Sequence, residues 1–387
     1  MKIIYHHRTR GEDAQGIHIQ SLQDAWSELG HSVYEVSLGR AQSGKAQPTN
    51  GHQKNNQKHS EGRGTIGSLI YEGLSLGYNV YGLHNLQKAI KAHQPALIYE
   101  RYCLNLTAGA LAARKHNIPF VLEVNSPLVD EMSKESGLIG RNVAQHCEKL
   151  VLERATRVVV VTDVLRRYYA AQGFDASKFQ VIHNGIDPKM FHADVDARVP
   201  RERYHLQNRC VIGFVGWARQ WHRLDLLVDA FAKLPNRERF AILICGDGPA
   251  IPGLREQAKE LGVADVVHFS GGLDHHEIPA HIAAMDIAVL PSIPVYASPM
   301  KLFEYMAMGK AVLVPDQPNL REVVVEGENG MFIPKDDPNG FAKAVTELAT
   351  NATLQQKLSR GAVETIQHGK YFWTENARRV LQGVGLA

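Results

Sequence analysis

The segment SPMKLFEYMAMGKAVLVPD, Ser298 to Asp316, holds residue types well suited to chemistry. It follows an apolar run, turns at a Ser-Pro pair, and opens an amphipathic stretch that stops at Gly309 before another apolar run. A turn leading into a helix presents unpaired backbone N–H groups and the positive end of the helix dipole, which suits a phosphate. Glu304 falls about one turn into that helix, where a carboxylate can accept two hydrogen bonds from vicinal ribose hydroxyls. Taken alone, such a glutamate is an ordinary solvated residue, so the reading needs partners from elsewhere in the chain.

Those partners begin at GFVGWARQWHRLDLLVDAF, Gly213 to Phe231, where a strand-like run ends in a glycine turn. Arg219, His222 and Arg223 cluster before the next helix, and arginine clamps a diphosphate well through its paired N–H donors. These three can equally be basic residues solvated near a helix start, although cations there oppose its dipole and so ask for an explanation. Further glycine turns follow at Ile244 to Pro249, with Gly246 and Gly248, and at Phe269 to Leu273, with Gly271 and Gly272. Four successive strands of one domain are therefore expected to end in turns suited to a ligand, all at the carboxyl edge of the sheet, where open α/β folds bind ligands.

Elements that could position these groups alternate along the chain. Short β-branched runs and longer amphipathic segments predict an α/β protein with parallel sheets covered by helices. Strands are expected at residues 2–5, 32–36, 96–99, 120–124, 157–161 and 180–182 in the first half, and at 211–215, 241–244, 266–269, 287–290 and 311–314 in the second. The stretch from Asp187 to Arg209 carries two prolines and mixed charge and reads as a linker between domains. Gly39 to Gly64 is rich in Gln, Asn, Gly, Lys and His, and reads as a mobile basic loop. It holds Arg40, Lys45, Lys54, Lys58 and Arg63 against Glu61 alone. Either it is an ordinary solvated loop or it is an arm for anionic lipid or acceptor phosphate.

Composition narrows the class. With 387 residues, 44% apolar and 21% charged, the chain is long enough for two or three domains and is neither fibrous nor wholly disordered. The 43 Lys+Arg and 40 Asp+Glu leave a formal charge of +3, which excludes wrapping of nucleic acid by bulk charge. Residues 1–187 carry 21 basic and 17 acidic groups, so the positive excess sits in the first half. Cys103, Cys147, Cys210 and Cys245 form no C-x-x-C pair, which fits a reducing cytoplasm. The opening MKIIYHHRTR is too short for a signal-peptide core and reads as a first buried strand, and no run reaches the 18 apolar residues of a membrane span. Leu69 to Leu83 mixes aliphatic residues and tyrosines at helical spacing, a stripe that belongs either in the core or, beside a basic arm, on a membrane surface. Asp194 and Asp196 form a D-x-D pair within the linker, and His6/His7 and His275/His276 are adjacent pairs lacking the i, i+4 spacing of a helical zinc site. No metal site is expected from them.

Taken in order, these motifs resemble the retaining glycosyltransferases of family 4. The likeness runs from the His-rich first strand and GIHIQSLQDAWSELGHSVYEV through LIYERY and VIHNGID to GFVG, GDGP, VVHFSGGL, VLPS, SPMKLFEYMAMGKAVL and the tail YFWTENARRVL. It implies the GT-B fold, with two facing Rossmann-like domains and a cleft between them. The acceptor domain would span 1–187 and the nucleotide-sugar domain 188–370, with 371–387 a helix crossing back to the first. The donor would be a UDP- or GDP-sugar, used as substrate with no permanently bound cofactor.

By resemblance, Glu304 would hold the ribose, and Ser298, Pro299, Met300, Lys301 and Leu302 would meet the donor phosphates and sugar. Gly271, Gly272, Leu273 and Asp274 would lie beside the base, Gly216, Gly246 and Gly248 would line the donor site, and Arg219 and His222 would form the diphosphate clamp with Arg223. His6 and His7, ending the first strand, would meet the donor diphosphate or the acceptor, and Gly16, Glu100, Arg101 and Asn125 would lie on the acceptor or cleft side. Three positions depart from the family pattern: Tyr296 replaces the first Glu of its E-x7-E element, Trp217 and His222 replace an Arg and a Lys, and Asn125 stands near a frequent His. If His222 is the phosphate contact, binding becomes more dependent on pH.

The expected reaction moves a hexose-type sugar to a hydroxyl of a glycan or lipid-linked acceptor with retention of configuration and without metal, in bacterial polysaccharide or glycoconjugate synthesis. The departing diphosphate would be stabilised by basic groups and helix N-termini. A catalytically silent scaffold that binds nucleotide or glycan is the competing reading, and Tyr296 is its main support. A nicotinamide oxidoreductase is disfavoured because no G-x-G-x-x-G follows the first strand.

Overall fold

The computed structural model describes residues 1–9, 14–38, 65–135, 137–335 and 337–386. The basic segment 39–64 lies outside the described residues. The chain divides into two compact units, Met1–His183 with Trp373–Ala387, and Asn184–Phe372.

The first unit is built on six parallel strands: β1 (Lys2–His6), β2 (Ser32–Val36), β3 (Leu97–Arg101), β4 (Phe120–Val124), β5 (Arg157–Val160) and β6 (Phe179–Val181), in the order β2-β1-β3-β4-β5-β6. β3 and β4 are buried along their whole length, so their apolar residues do not alternate with exposed polar ones, and the charged Glu100, Arg101 and Glu123 within them are buried too. The C-terminal helix Trp373–Gly383 packs within this unit. Its Ala377 carbonyl accepts from Trp26 Nε1 at 3.1 Å, and Asn376 donates to the His183 carbonyl at 2.8 Å.

A second parallel sheet organises the other unit: β7 (Cys210–Val215), β8 (Phe240–Cys245), β9 (Val267–Phe269), β10 (Ile287–Val289), β11 (Ala311–Pro315) and β12 (Met331–Ile333), in the order β12-β11-β10-β7-β8-β9. The doubly wound order places β10, β7, β8 and β9 side by side, so their C-terminal turns share one edge. β12 has no counterpart among the expected strands, because three residues at a sheet edge give no readable periodicity.

The stretch 187–209 is not a free linker. Phe191 and Leu206 are buried in the core of the second unit, a short helix spans Arg198–Arg203, and Arg201 reaches Asp286 at 2.9 Å. Asp196 of the D-x-D pair accepts from the backbone N–H and the side chain of Arg198 two residues on, an Asx-type turn ahead of that helix.

Candidate functional site

The helix Met300–Ala307 forms because Leu302, Phe303, Tyr305, Met306 and Ala307 can be buried on one side while Lys301 and Glu304 share the other. It ends in a complete Schellman motif. Gly309 sits at φ +64° and donates to the Met306 carbonyl, and the Lys310 N–H reaches the Tyr305 carbonyl at 3.0 Å. At its start, Pro299 supplies extended backbone and no side chain caps the first turn. The Tyr305 hydroxyl accepts the Val215 N–H at 2.7 Å, which ties this helix to the end of β7.

Lys301 points back over the turn after β7. Its Nζ lies 4.1 Å from the Phe214 ring centroid and over Gly216, which sits at φ +132°, a conformation that favours glycine. Burial pushes the Lys301 ammonium down to about 8, opposed by the Glu304 charge. Burial likewise pushes the Glu304 carboxyl up to about 7, opposed by Lys301. Among the described residues neither group has a hydrogen-bond partner. An ammonium and a carboxylate one turn apart, both half-buried and both without such a partner, leave polar atoms open to water or to a ligand.

Two asparagines hold the loop that leads into this helix. Asn184 donates its backbone N–H to Ser298 Oγ at 3.1 Å and its side chain to the Ser298 carbonyl at 2.5 Å. Asn319 donates to the Ala297 carbonyl at 2.8 Å and the Pro294 carbonyl at 3.3 Å. Sequence reasoning did not single out either residue. The HNG turn after β6 offered a signal for Asn184, but Asn319 offered none.

The glycine turns divide by cause. At Gly246 and Gly248, at φ +126° and +145°, a Cβ would overlap the carbonyl oxygens of Gly216 and Ala218. The turns after β7 and β8 interlock by backbone bonds, Gly216 N–H to Cys245 O at 2.8 Å and Ala218 N–H to Asp247 O at 2.7 Å. These two glycines are therefore explained by turn-to-turn packing. Gly271 and Gly272, in the turn after β9, have open space where a Cβ would stand.

The basic cluster also resolves unevenly. His222 is buried, stacked on Trp221 at 3.8 Å and edge-on to Phe214 at 5.0 Å. Its Nδ1 accepts the Arg219 N–H at 3.2 Å, which leaves its proton on Nε2. Burial, reinforced by Lys301 and Arg219, pushes its pKa down to about 3, so it is a neutral donor at pH 7 and not a titrating cation. The expected pH sensitivity through His222 is thereby removed. Arg223, in the left-handed region at φ +55°, forks onto the Asp225 carboxylate at 3.0–3.2 Å and is half exposed.

In the first unit the expected acceptor residues fall into separate networks. His6 Nδ1 meets Glu100 at 2.5 Å and its Nε2 meets the Tyr78 hydroxyl at 3.2 Å, while Glu100 also accepts the Gly109 N–H at 3.0 Å. His7 pairs with Glu35 at 3.2 Å, and the hydrogen bond from His7 is the largest influence holding the Glu35 carboxyl at about 2. Arg101 and Asn125 both donate to Glu123, which also accepts from Tyr99 at 2.6 Å. Burial alone would raise the Glu123 pKa, but His18 and Arg101 hold it well below the carboxylate range. Gly16 lies in the helix Ala14–Glu28 apart from these bonds. His18, 3.4 Å from Glu123 and packed on Trp373 at 4.8 Å, was not anticipated, although its position two residues after Gly16 on the same helix could have suggested it.

Comparison with known proteins agrees with this architecture. Residues 15–190 match the family described as Glycosyltransferase Family 4, and residues 209–351 match Glycosyl transferases group 1. The chain thus carries two glycosyltransferase domains in the GT-B architecture. It is 27% identical to the D-inositol 3-phosphate glycosyltransferase of Stackebrandtia nassauensis, over 96% of this chain and 87% of that one. The α-D-kanosaminyltransferase of Streptomyces kanamyceticus is 25% identical over 65% of this chain and 67% of its own. Among solved structures, HepE of Anabaena in complex with UDP superposes with a TM-score of 0.77 and 17% identity, covering all of both chains.

Proposed function

We propose that this protein transfers a hexose-type sugar from a UDP- or GDP-sugar to a hydroxyl of a glycan or lipid-linked acceptor, with retention and without a metal ion, in bacterial polysaccharide or glycoconjugate synthesis. The observation that carries this reading is the Lys301–Glu304 pair, half-buried with shifted pKa values and without hydrogen-bond partners among the described residues, at the mouth of an uncapped helix beside the strand-end turns. The names of the relatives, which include inositol phosphate and aminosugar transferases, support a sugar-transfer reaction.

Glu304 accepts the ribose hydroxyls, and the backbone N–H groups of Ser298 to Leu302 with Lys301 take the diphosphate oxygens. Arg219 adds charge to the departing diphosphate, His222 donates a neutral Nε2–H, and Gly271 to Asp274 leave room for the base. The acceptor hydroxyl attacks the anomeric carbon on the face the diphosphate leaves, and its proton passes to the departing phosphate oxygen. Glu123, His18 and His6 position the strand-end backbone on the acceptor side. The protein works in the cytoplasm against the inner face of the plasma membrane, and its four free cysteines fit a reducing compartment.

A silent binding protein is the second reading, supported by Tyr296 at a position where a carboxylate is expected. Incubation with a panel of sugar nucleotides separates the two. Donor hydrolysis or transfer supports the enzyme, whereas protection against melting without turnover in acceptor extracts supports the scaffold. Glu304→Ala should weaken nucleotide binding at least tenfold by calorimetry, and unchanged affinity would refute the ribose assignment.

A further inference from the structure

The helix Thr65–His93 of the first unit turns one face inward from Ser68 to Ile90, but the composition of its two faces inverts along the way. In its first half the inward positions are polar. Ser68, Glu72 and Ser75 are buried, and Asn79 is half-buried beside them. Each has a structural reason to face in. Glu72 accepts the Ile139 and Gly140 N–H groups at 2.9 and 2.7 Å, Ser75 receives Asn105 at 2.9 Å, and Asn79 accepts the Thr107 and Ala108 N–H groups at 2.7 and 3.0 Å. These bonds fix the helix's rotation, because turning it would strand several buried polar groups.

The outward face bears the consequence. Leu69, Ile70 and Tyr81 are more than half exposed, and Leu74 and Val80 are 71% and 77% exposed. Gly73 and Gly77 between them have nothing within 4 Å of where a Cβ would stand. Past Tyr81 the same outward face continues as His84, Lys88 and Lys91, while Leu86 and Ile90 take the inward positions. The helix's one carboxylate among its described side chains is the buried Glu72. An uncovered aliphatic stripe with an aromatic at its end, followed by cations and no exposed carboxylate, is complementary to an anionic lipid surface.

Other occupants fit less well. Segment 39–64 offers only Ala41, Ala46 and Pro48 as non-polar side chains beyond its glycines, too little to cover five large residues. The stripe is about 18 Å long and one helix wide, far short of the roughly 800 Å² that a stable protein partner buries on each side. No described helix is long and apolar enough to cross a membrane, so the contact is one of lying on the surface.

We propose that the outward face of this helix from Leu69 to Tyr81 inserts at the surface of an anionic bilayer, with Lys88 and Lys91 at the headgroups. The inference rests on the membrane-side placement proposed above and assigns it to a particular helix face.

The test is cosedimentation of the full chain with phosphatidylglycerol vesicles at low salt, with phosphatidylcholine vesicles as comparison. Leu74→Glu with Val80→Glu should lower binding at least tenfold, as should the milder Leu74→Ser with Val80→Ser, while melting temperature and nucleotide affinity stay unchanged. Tryptophan emission of Leu74→Trp should shift to the blue only with the anionic vesicles. Absence of wild-type binding overturns both this inference and the membrane-side placement. Wild-type binding that both double variants retain overturns the helix assignment alone. A concentration-dependent dimer that both variants abolish, with vesicle binding intact, also overturns it and makes a second copy the occupant.

Discussion

If Lys301 and Glu304 receive the donor as charged groups, nucleotide affinity must follow a bell in pH whose limbs belong to named residues. The Glu304 carboxyl lies at about 7 and the Lys301 ammonium at about 8 in the unliganded protein. A ribose diol needs the carboxylate, so binding weakens as pH falls through 7. A diphosphate needs the ammonium, so binding weakens as pH rises through 8. Glu304 is about one-tenth ionised at pH 6 and about three-quarters at pH 7.5, and Lys301 mirrors this toward pH 9. If only the doubly charged form binds, affinity falls about sixfold from pH 7.5 to either pH 6 or pH 9. His222 stays neutral throughout, because its pKa is held at about 3. The measurement is calorimetric titration with the tightest sugar nucleotide of a UDP and GDP panel, whose diphosphate diester has no proton to lose in this range. At pH 6.5, in buffers of different ionisation enthalpy, binding should release about three-quarters of a proton. Glu304→Gln should flatten the acid limb and Lys301→Met the alkaline one. A flat wild-type profile, or an acid limb that survives in Glu304→Gln, would show that this pair does not meet the donor.

Other consequences are open to direct measurement. Because the folded pKa of Glu304 is raised, its charge destabilises the protein increasingly as pH climbs from about 4.5 through 7. Glu304→Gln should therefore melt higher than wild type at pH 8, with the gain vanishing near pH 4.5 in a calorimetric series. Asn184→Ala removes the side-chain bond that holds the Ser298 carbonyl, so nucleotide affinity should drop about tenfold, equivalent to about 1.4 kcal/mol, with little change in melting. Gly246→Ala drives a Cβ into the Gly216 carbonyl at a strained φ and should cost about 3 kcal/mol in denaturant titration; a near-neutral result would mean the interlocked turns are soft. Arg223→Ala removes an exposed fork onto Asp225, so donor affinity should stay within about twofold of wild type, whereas Arg219→Ala should lower turnover.

The legible part of the fold was the part encoded in contiguous residues. Eleven of the twelve strands coincide with expected runs to within a residue or two, because a strand covered on both faces is mostly apolar, the paired Glu100, Arg101 and Glu123 being exceptions. The stretch 187–209 misled because its proline and charge content mimics a linker, while Phe191 and Leu206 anchor it to the second core. At the candidate site, Glu304 was singled out from the turn and helix around it, and Lys301 through the family resemblance. Asn184 and Asn319 were not, since a side chain that bonds a carbonyl about 20 or 114 residues away leaves no local trace.

Sequence alone determined the class: an ordered series of strands and glycine turns with the SPMKLFEYMAMGKAVL segment, which the family matches bear out as glycosyltransferase domains. Tertiary structure decided what each group can do. Burial beside Phe214 and Lys301 makes His222 a neutral donor, Asp225 occupies Arg223, and the neighbouring turn explains Gly246 and Gly248. It also decided the face shown by the helix Thr65–His93, because Glu72, Ser75 and Asn79 find their partners in distant segments. Charge state and orientation depend on neighbours that the chain brings together only on folding, and those neighbours turn this helix's polar side inward and leave Leu74 and Val80 on the surface.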